Sequence, residues 1–352
     1  MKRGIASVRW YSYVVLAFGF CFDRCGVDDA RWSHVYRKRF TLQDVQVMAD
    51  QTTLFWPREQ REQIEPFSQL IFSWNATRPE RGYFTFSAQV RDATTKQWGP
   101  WHMMMDWGAD RQRSYAQKTP LLSSYYHVRL ELNHEHFADG FRIRIDAHDG
   151  ASLTQLKTLF VCASDFTKFR PEGLDAVTSL ESVHVSDVPH ISQFLVEHEH
   201  KDSLCSPTSV TMLARFVTGQ KIEVSDVARQ VFDDGLKAYG SWPFNTAHLF
   251  ELISQTGCVA TCRLNSFTHL HAHLQRGMPV IVSVRGWLRG APKIYENGHL
   301  LVVVGWDAQK KQIICHDPAA KKIGHVMRHY DITDFLAAWE RSRRLAYVLE
   351  LD

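Results

Sequence analysis

The stretch "DSLCSPTSVTMLARFVTG", residues 202–219, decides how the second half of this chain is read. Pro207 suits a first helical turn, where its missing N–H has no intrahelical partner to lose. Val210, Leu213, Ala214 and Val217 recur at helical spacing, and Gly219 ends the pattern. The spacing predicts a buried helix with Cys205 at its N-terminus, where unpaired N–H groups and the macrodipole favour negative charge. Thiolate is the attacking form of cysteine, so this position suits a nucleophile. Taken alone, such a cysteine is more simply read as a small packing residue.

A nucleophilic cysteine needs a base, a group that orients the base, and a donor for the developing oxyanion. Among eighteen histidines, His299 in "NGHLLVVVGWD" (297–307) stands apart, because a Gly-His pair opens an apolar, β-branched strand there. The "HEH" at 198–200 and "HLHAH" at 269–273 read as solvated faces or caps. Asp317 in "CHDPAA" (315–320) follows a short strand 18 residues later, a separation suited to a hairpin; taken alone, an Asp-Pro pair is more simply read as a turn residue. Gln193 in "VPHISQF" (188–194) precedes the cysteine helix and could act with the Cys205 backbone N–H as oxyanion donor.

Working outward, residues 30–165 carry short alternating runs: "FSQLIFSWNA", "GYFTFSAQVRD", "YYHVRLELN" and "GFRIRIDAHD". Phe141, Ile143 and Ile145 alternate with Arg142, Arg144 and Asp146, the period of a half-buried strand. These runs predict an antiparallel β-sandwich. "WGPWHMMMDWG" (98–108) reads as a strand with large core side chains rather than an aromatic platform. Residues 166–182 lack a period and read as a linker. From 183 to 352 helices come first and strands after, as in an α+β domain with a helix packed on an antiparallel sheet.

The 352 residues suffice for two domains. Lysine plus arginine number 41 against 38 acids, a net charge of +3, which speaks against a nucleic-acid or membrane-surface partner. A basic start and an apolar run within residues 1–29 have the form of an atypical export signal, which would place the protein in the periplasm or outside the cell; a cytoplasmic chain is the alternative. No other segment approaches the length of a membrane helix. Of seven cysteines, Cys258 and Cys262 lack a second pair at zinc-site spacing and read as core thiols or a disulfide; no metal site is expected.

Taken together and in order, "VPHISQF", "CSPTSVTMLARFVTG", "GHLLVVVGWD" and "HDPA" resemble the papain-like cysteine peptidases related to the bacteriocin-processing, double-glycine leader peptidases, over residues 183–352. "SWPFNTAHLFEL" (241–252) and "MPVIVSVRGW" (278–287) are similar to the secreted bacterial branch, in which a β-rich domain with a "SWNA" segment, here 73–76, comes first. The resemblance implies Cys205 as nucleophile, His299 as base and then acid, Asp317 as its orienter and Gln193 as oxyanion donor. It implies a peptide or protein substrate and no metal or organic cofactor. The commoner motif has glycine where Ser206 stands, and "LVEHEHKDS" (195–203) reads as an insertion whose His198 or His200 could shape the cleft entrance. "GWLRGAPKIYENG" (286–298) reads as a rim loop; Trp287 and Tyr295 on it, with Trp242, are the candidate substrate contacts. The leader peptidases act within transporters, whereas this sequence has no membrane helix or phosphate-binding loop, which speaks against bacteriocin export. The same residues would serve an amidase, a transpeptidase or a deconjugating enzyme, and a papain-like binding protein without turnover is the reading from another class.

Overall fold

The structure, a computed structural model, describes residues 31–41, 50–56, 64–119, 121–133, 135–254 and 256–351. The signal-like start, with Cys21 and Cys25, lies outside them.

The alternating N-terminal runs form strands β1 (Ser33–Arg39), β2 (Gln51–Trp56), β3 (Gln69–Ala76), β4 (Tyr83–Asp92), β5 (His102–Gly108), β6 (Gln112–Ser114), β7 (Ser123–Tyr126), β8 (Arg129–Leu132), β9 (Ala138–His148) and β10 (Leu156–Ser164). They make two five-stranded antiparallel sheets, ordered β1-β10-β3-β8-β7 and β2-β9-β4-β5-β6. Rings reach from one sheet to the other: Trp74 on β3 stacks on Phe86 of β4 at 4.3 Å, and Phe72 lies 5.5 Å from the same ring. On β9 the alternation appears as expected, with Phe141, Ile143 and Ile145 buried between half-buried Arg142, Arg144 and Asp146. On β5, Met104, Met105 and Trp107 enter the core while Met103 faces out.

The second half contains α1 (Leu174–Thr178), β11 (Val183–His184), α2 (Cys205–Thr218), α3 (Val224–Val231), α4 (Trp242–Leu252), β12 (Cys258–Arg263), α5 (Phe267–Gln275), β13 (Val280–Gly286), β14 (Tyr295–Asp307), β15 (Gln312–His316), β16 (Met327–Asp331), α6 (Ile332–Arg341) and β17 (Leu345–Glu350). Its antiparallel sheet runs β12-β17-β13-β14-β15-β16, with β11 added on β14. Helices and antiparallel strands together make the fold α+β. Helix α2 rests on β14 and is flanked by α3 and α4. Gly219 ends α2 in the left-handed region at φ 67°, the conformation that makes glycine the natural stop.

The histidines of α5 do not form a solvated face. His271 and His273 are buried because α5 packs against β11, β13 and β14, and the His271 Nε2 satisfies itself on the Glu181 carbonyl at 2.7 Å. Cys258 and Cys262 are buried free thiols on β12.

The "SWNA" strand has no solvent face: all eight residues of β3 are buried. Phe72 and Trp74 point toward the second N-terminal sheet, while the alternate positions meet β12, the edge strand of the C-terminal sheet. Asn75 donates to the Val259 carbonyl at 2.8 Å and accepts from its N–H at 3.0 Å. Ser73 Oγ accepts the Thr261 N–H at 3.0 Å, and Gln69 Oε1 accepts from the buried Arg263 guanidinium at 2.7 and 3.0 Å. An exposed sheet edge invites unwanted strand pairing. Here the polar side chains of β3 take the place of a neighbouring strand. Asn75→Ala is therefore expected to strand two buried main-chain groups of Val259 and to destabilise the protein by about 1–3 kcal/mol, read as a lower guanidinium midpoint. An unchanged midpoint would mean that the edge needs no partner.

Candidate active site

Cys205 opens α2 and is partly accessible on a cleft of about 790 Å³ that His299 also lines. The first turn of α2 is unusually polar for a buried helix, and most of these hydroxyls have a definite use. Ser206, where the commoner motif has glycine, shares a hydrogen bond with the Tyr347 hydroxyl at 3.1 Å. Ser209 donates to the Leu300 carbonyl at 3.2 Å, which ties the helix that Cys205 opens to the residue after His299.

His299 lies on β14 directly after Gly298, whose φ of 91° favours glycine. Opposite, β13 pairs Val284 with His299 but Gly286 with Tyr295, so two steps on one strand face four on the other. In a regular strand, residues four apart are separated by roughly 13 Å. The bulge folds that distance away and stacks the Tyr295 ring on the His299 ring, with centroids 4.0 Å apart and planes 10° from parallel.

Asp317 follows β15, which pairs with β14 as the hairpin spacing predicted, Val302 opposite His316. Its Oδ1 accepts from His299 Nε2 at 2.8 Å and from the Ala319 N–H at 2.9 Å. Its Oδ2 accepts from the hydroxyls of Tyr295 at 2.6 Å and Tyr330 at 2.7 Å. With Nε2 engaged by Asp317, Nδ1 is the ring nitrogen left to serve Cys205, which lines the same cleft and whose ionisation His299 favours. A cysteine, histidine and aspartate spread over more than 110 positions of sequence thus come to one place, His299 bonded to Asp317 and lining the same cleft as Cys205.

Residues 185–347 match the Peptidase_C39 like family. The matched stretch, a little under half of the chain, contains Gln193, Cys205, His299 and Asp317, and at family level it supports a cysteine peptidase. No curated protein matches the chain.

The charges in the C39-like segment favour a thiolate–imidazolium pair. Burial opposes ionisation of Cys205, yet the hydrogen bond and charge of His299, with the N–H groups of Leu300 and Ser206, bring the thiol below its usual value. Burial likewise works against the imidazolium, but the Asp317 carboxylate and Cys205 outweigh it and raise His299 to about 9. Asp317 is held at about 2 despite burial, by the charge and hydrogen bond of His299 and by the two tyrosine hydroxyls. Burial and the carboxylate raise both phenols far above their usual range, so they stay donors.

Gln193 is buried in a short 3-10 turn, Gln193–Leu195. Its main-chain N–H donates to the Pro318 carbonyl at 2.9 Å, and its side-chain Nε2 to the Lys201 carbonyl at 2.8 Å. It therefore bridges the loop after Asp317 and the turn that leads into Cys205, without lining the cleft. The second N–H of its amide is not used by Lys201.

Tyr295 lines the cleft but is only 2% exposed, with its hydroxyl on Asp317. Trp287, 52% exposed, and Trp242, half-buried at the start of α4, are not cleft-lining residues. His200 lines the entrance. Tyr330 was not singled out from the sequence; its alternation on β16 says only that it points inward, and the pairing of Tyr330 with Ile313 decides that it meets Asp317. Phe232 and Tyr239, which line the cleft, carried no sequence signal.

Proposed function

We propose that residues 183–352 form a papain-like cysteine peptidase domain, preceded by a β-sandwich accessory domain at 30–165, and that it cleaves peptide or amide bonds through an acyl-enzyme on Cys205. The observation that carries this reading is the buried line from Asp317 through His299 to Cys205 at the edge of a cleft. The thiolate attacks the scissile carbonyl, and the new C–S bond pushes charge onto oxygen. The Cys205 N–H would receive that charge, and the second side-chain N–H of Gln193, whose main-chain N–H is engaged by Pro318, is the proposed second donor. The imidazolium gives its proton to the departing amine as the C–N bond breaks, leaving a thioester. Water then attacks the thioester while His299 takes its proton; the C–S bond breaks, the acid is released, and the Cys205 thiolate and imidazolium are restored. Asp317 holds Nδ1 toward sulfur throughout, and Tyr295 and Tyr330 hold Asp317.

The test is the pH dependence of iodoacetamide labelling, mapped to Cys205 by peptide mass analysis. Wild type is expected to label fast at pH 6 to 7, well under the free-cysteine value of about 8.5, because the thiol is already ionised. His299→Ala is expected to move the labelling curve toward that free value. Labelling as slow as a free thiol's in wild type, indifferent to His299, would sink the proposal.

A further inference from the structure

We infer that the N-terminal half holds one wall of this cleft, through a clamp of Ser114 on Asp233, and so takes part in choosing the substrate side chain beside the scissile bond. The inference deepens the proposed function and rests on it.

Strand β6 is the last strand of its sheet, and its free edge is taken up by residues 232–240 of the other half. The Asp234 N–H donates to the Gln112 carbonyl at 3.2 Å, as a neighbouring strand would. Asp233 is fully buried, and its carboxylate meets four donors: the Ser114 N–H at 2.8 Å, the Ser114 hydroxyl at 2.5 Å, and the N–H groups of Gly235 and Leu236 at 2.9 and 3.2 Å. A buried carboxylate is stable only when its lone pairs are so satisfied, and half of these donors belong to one serine of the other half. Asp233 also closes its own loop, pairing through its main chain with Ala238 at 2.8 and 3.3 Å. Gln112 Nε2 holds the carbonyls of Gln230 and Phe232, each at 2.9 Å. The approach is so close that a Cβ on Gly235 would stand 1.8 Å from the Ser114 carbonyl oxygen.

This clamped loop carries Phe232, Lys237, Ala238, Tyr239 and Gly240 into the cleft lining on which Cys205 also opens, with the Lys237 ammonium drawn onto Asp234. The Tyr239 ring contacts Phe232 at 5.0 Å, His198 at 5.4 Å and His200 at 6.1 Å. With Lys237 held by Asp234, the rings of Phe232 and Tyr239 are the wall's large apolar faces, and an apolar or aromatic substrate side chain fits them better than a charged one. Its position depends on a strand that belongs to the accessory sheets. On this account the two halves make one catalytic unit, and the accessory sheets do more than recruit substrate.

The experiment compares three reagents at Cys205: iodoacetamide, which needs only the thiolate, and the benzyloxycarbonyl-phenylalanyl and benzyloxycarbonyl-glycyl chloromethyl ketones, which differ by the side chain offered to the wall. Wild type is expected to prefer the phenylalanyl reagent. In Gly235→Ala, which wedges the loop from β6, that preference is expected to fall about tenfold while the iodoacetamide rate stays within about twofold. Ser114→Ala, a milder change that removes one donor and keeps the fold, is expected to lower the preference in the same direction. A wild type without the preference, or variants that keep it in full, would overturn the inference. So would an iodoacetamide rate that falls in step with the preference, because the clamp would then support the whole site and not the wall. Slow, His299-independent iodoacetamide labelling of wild type would instead mark failure of the proposed function itself.

Discussion

Cys205→Ala is expected to remove turnover on the order of 10⁶-fold, measured as coumarin release from the best substrate of a peptidyl-coumarin library. Sulfur is the protein atom that bonds to the substrate in the proposed cycle, so its removal takes away the acyl-enzyme route. His299→Ala should cost nearly as much, and the double variant little more than either single one, because nucleophile and base act as a unit. Gln193→Ala should behave differently. It removes an oxyanion donor, so turnover is expected to fall by roughly 10²–10³. Alkylation by iodoacetamide, which generates no oxyanion, should be unaffected. Residual turnover in Cys205→Ala comparable to wild type would refute Cys205 as nucleophile.

Asp317→Asn is expected to damage both catalysis and stability. The carboxylate accepts four hydrogen bonds from inside the protein, two from phenols, one from His299 and one from main chain. Removing the charge from a buried, fully hydrogen-bonded pair costs about 3–5 kcal/mol when its partner is left charged. Turnover should fall on the order of 10³ to 10⁴, since the imidazole loses the group that fixes its tautomer and stabilises its cation.

The pH dependence carries the same signature. His299 is raised to about 9, so its contribution to stability is complete below its unfolded value of about 6.5 and is lost as pH rises through 9. Asp317 is lowered to about 2, so its contribution is complete above its unfolded value of about 4 and is lost as pH falls toward 2. Wild type should therefore be most stable between about pH 4 and 6.5 as far as this pair is concerned. In Asp317→Asn the alkaline limb of the turnover profile should move well below 9, because the main support of the imidazolium is gone. A profile that stays in place would show that Asp317 does not set the His299 charge.

Each proposed site residue stands at a local landmark that the sequence displays. Cys205 is marked by a helix start, His299 by a Gly-His pair before a β-branched strand, and Asp317 by the end of a hairpin. Such landmarks follow from backbone rules that act over a few residues, and the match of residues 185–347 to the Peptidase_C39 like family falls on the same stretch. The histidines of α5 were misread because helical spacing shows which residues share a face, and not what covers that face. Tyr295 drew attention as a rim residue, yet its place against His299 depends on a bulge that no local pattern announces.

By itself the sequence determined the elements: the alternating strands of the first half, the helix behind Cys205, the later strands and the order of the reactive groups. Those follow from periodicity and from caps, which are properties of neighbouring residues. Only the tertiary structure decided what each face meets. The polar positions of β3 look like a solvent face and instead cap the edge of β12, because a buried strand edge must bond with something. Asp233 and Ser114 are ordinary residues 119 positions apart, and they matter only because the edge of β6 and a cleft loop arrive at the same place. Tyr330 joins Asp317 through strand pairing for the same reason. Contacts between distant segments are set by how sheets and helices pack, and packing is a property of the whole chain rather than of any stretch of it.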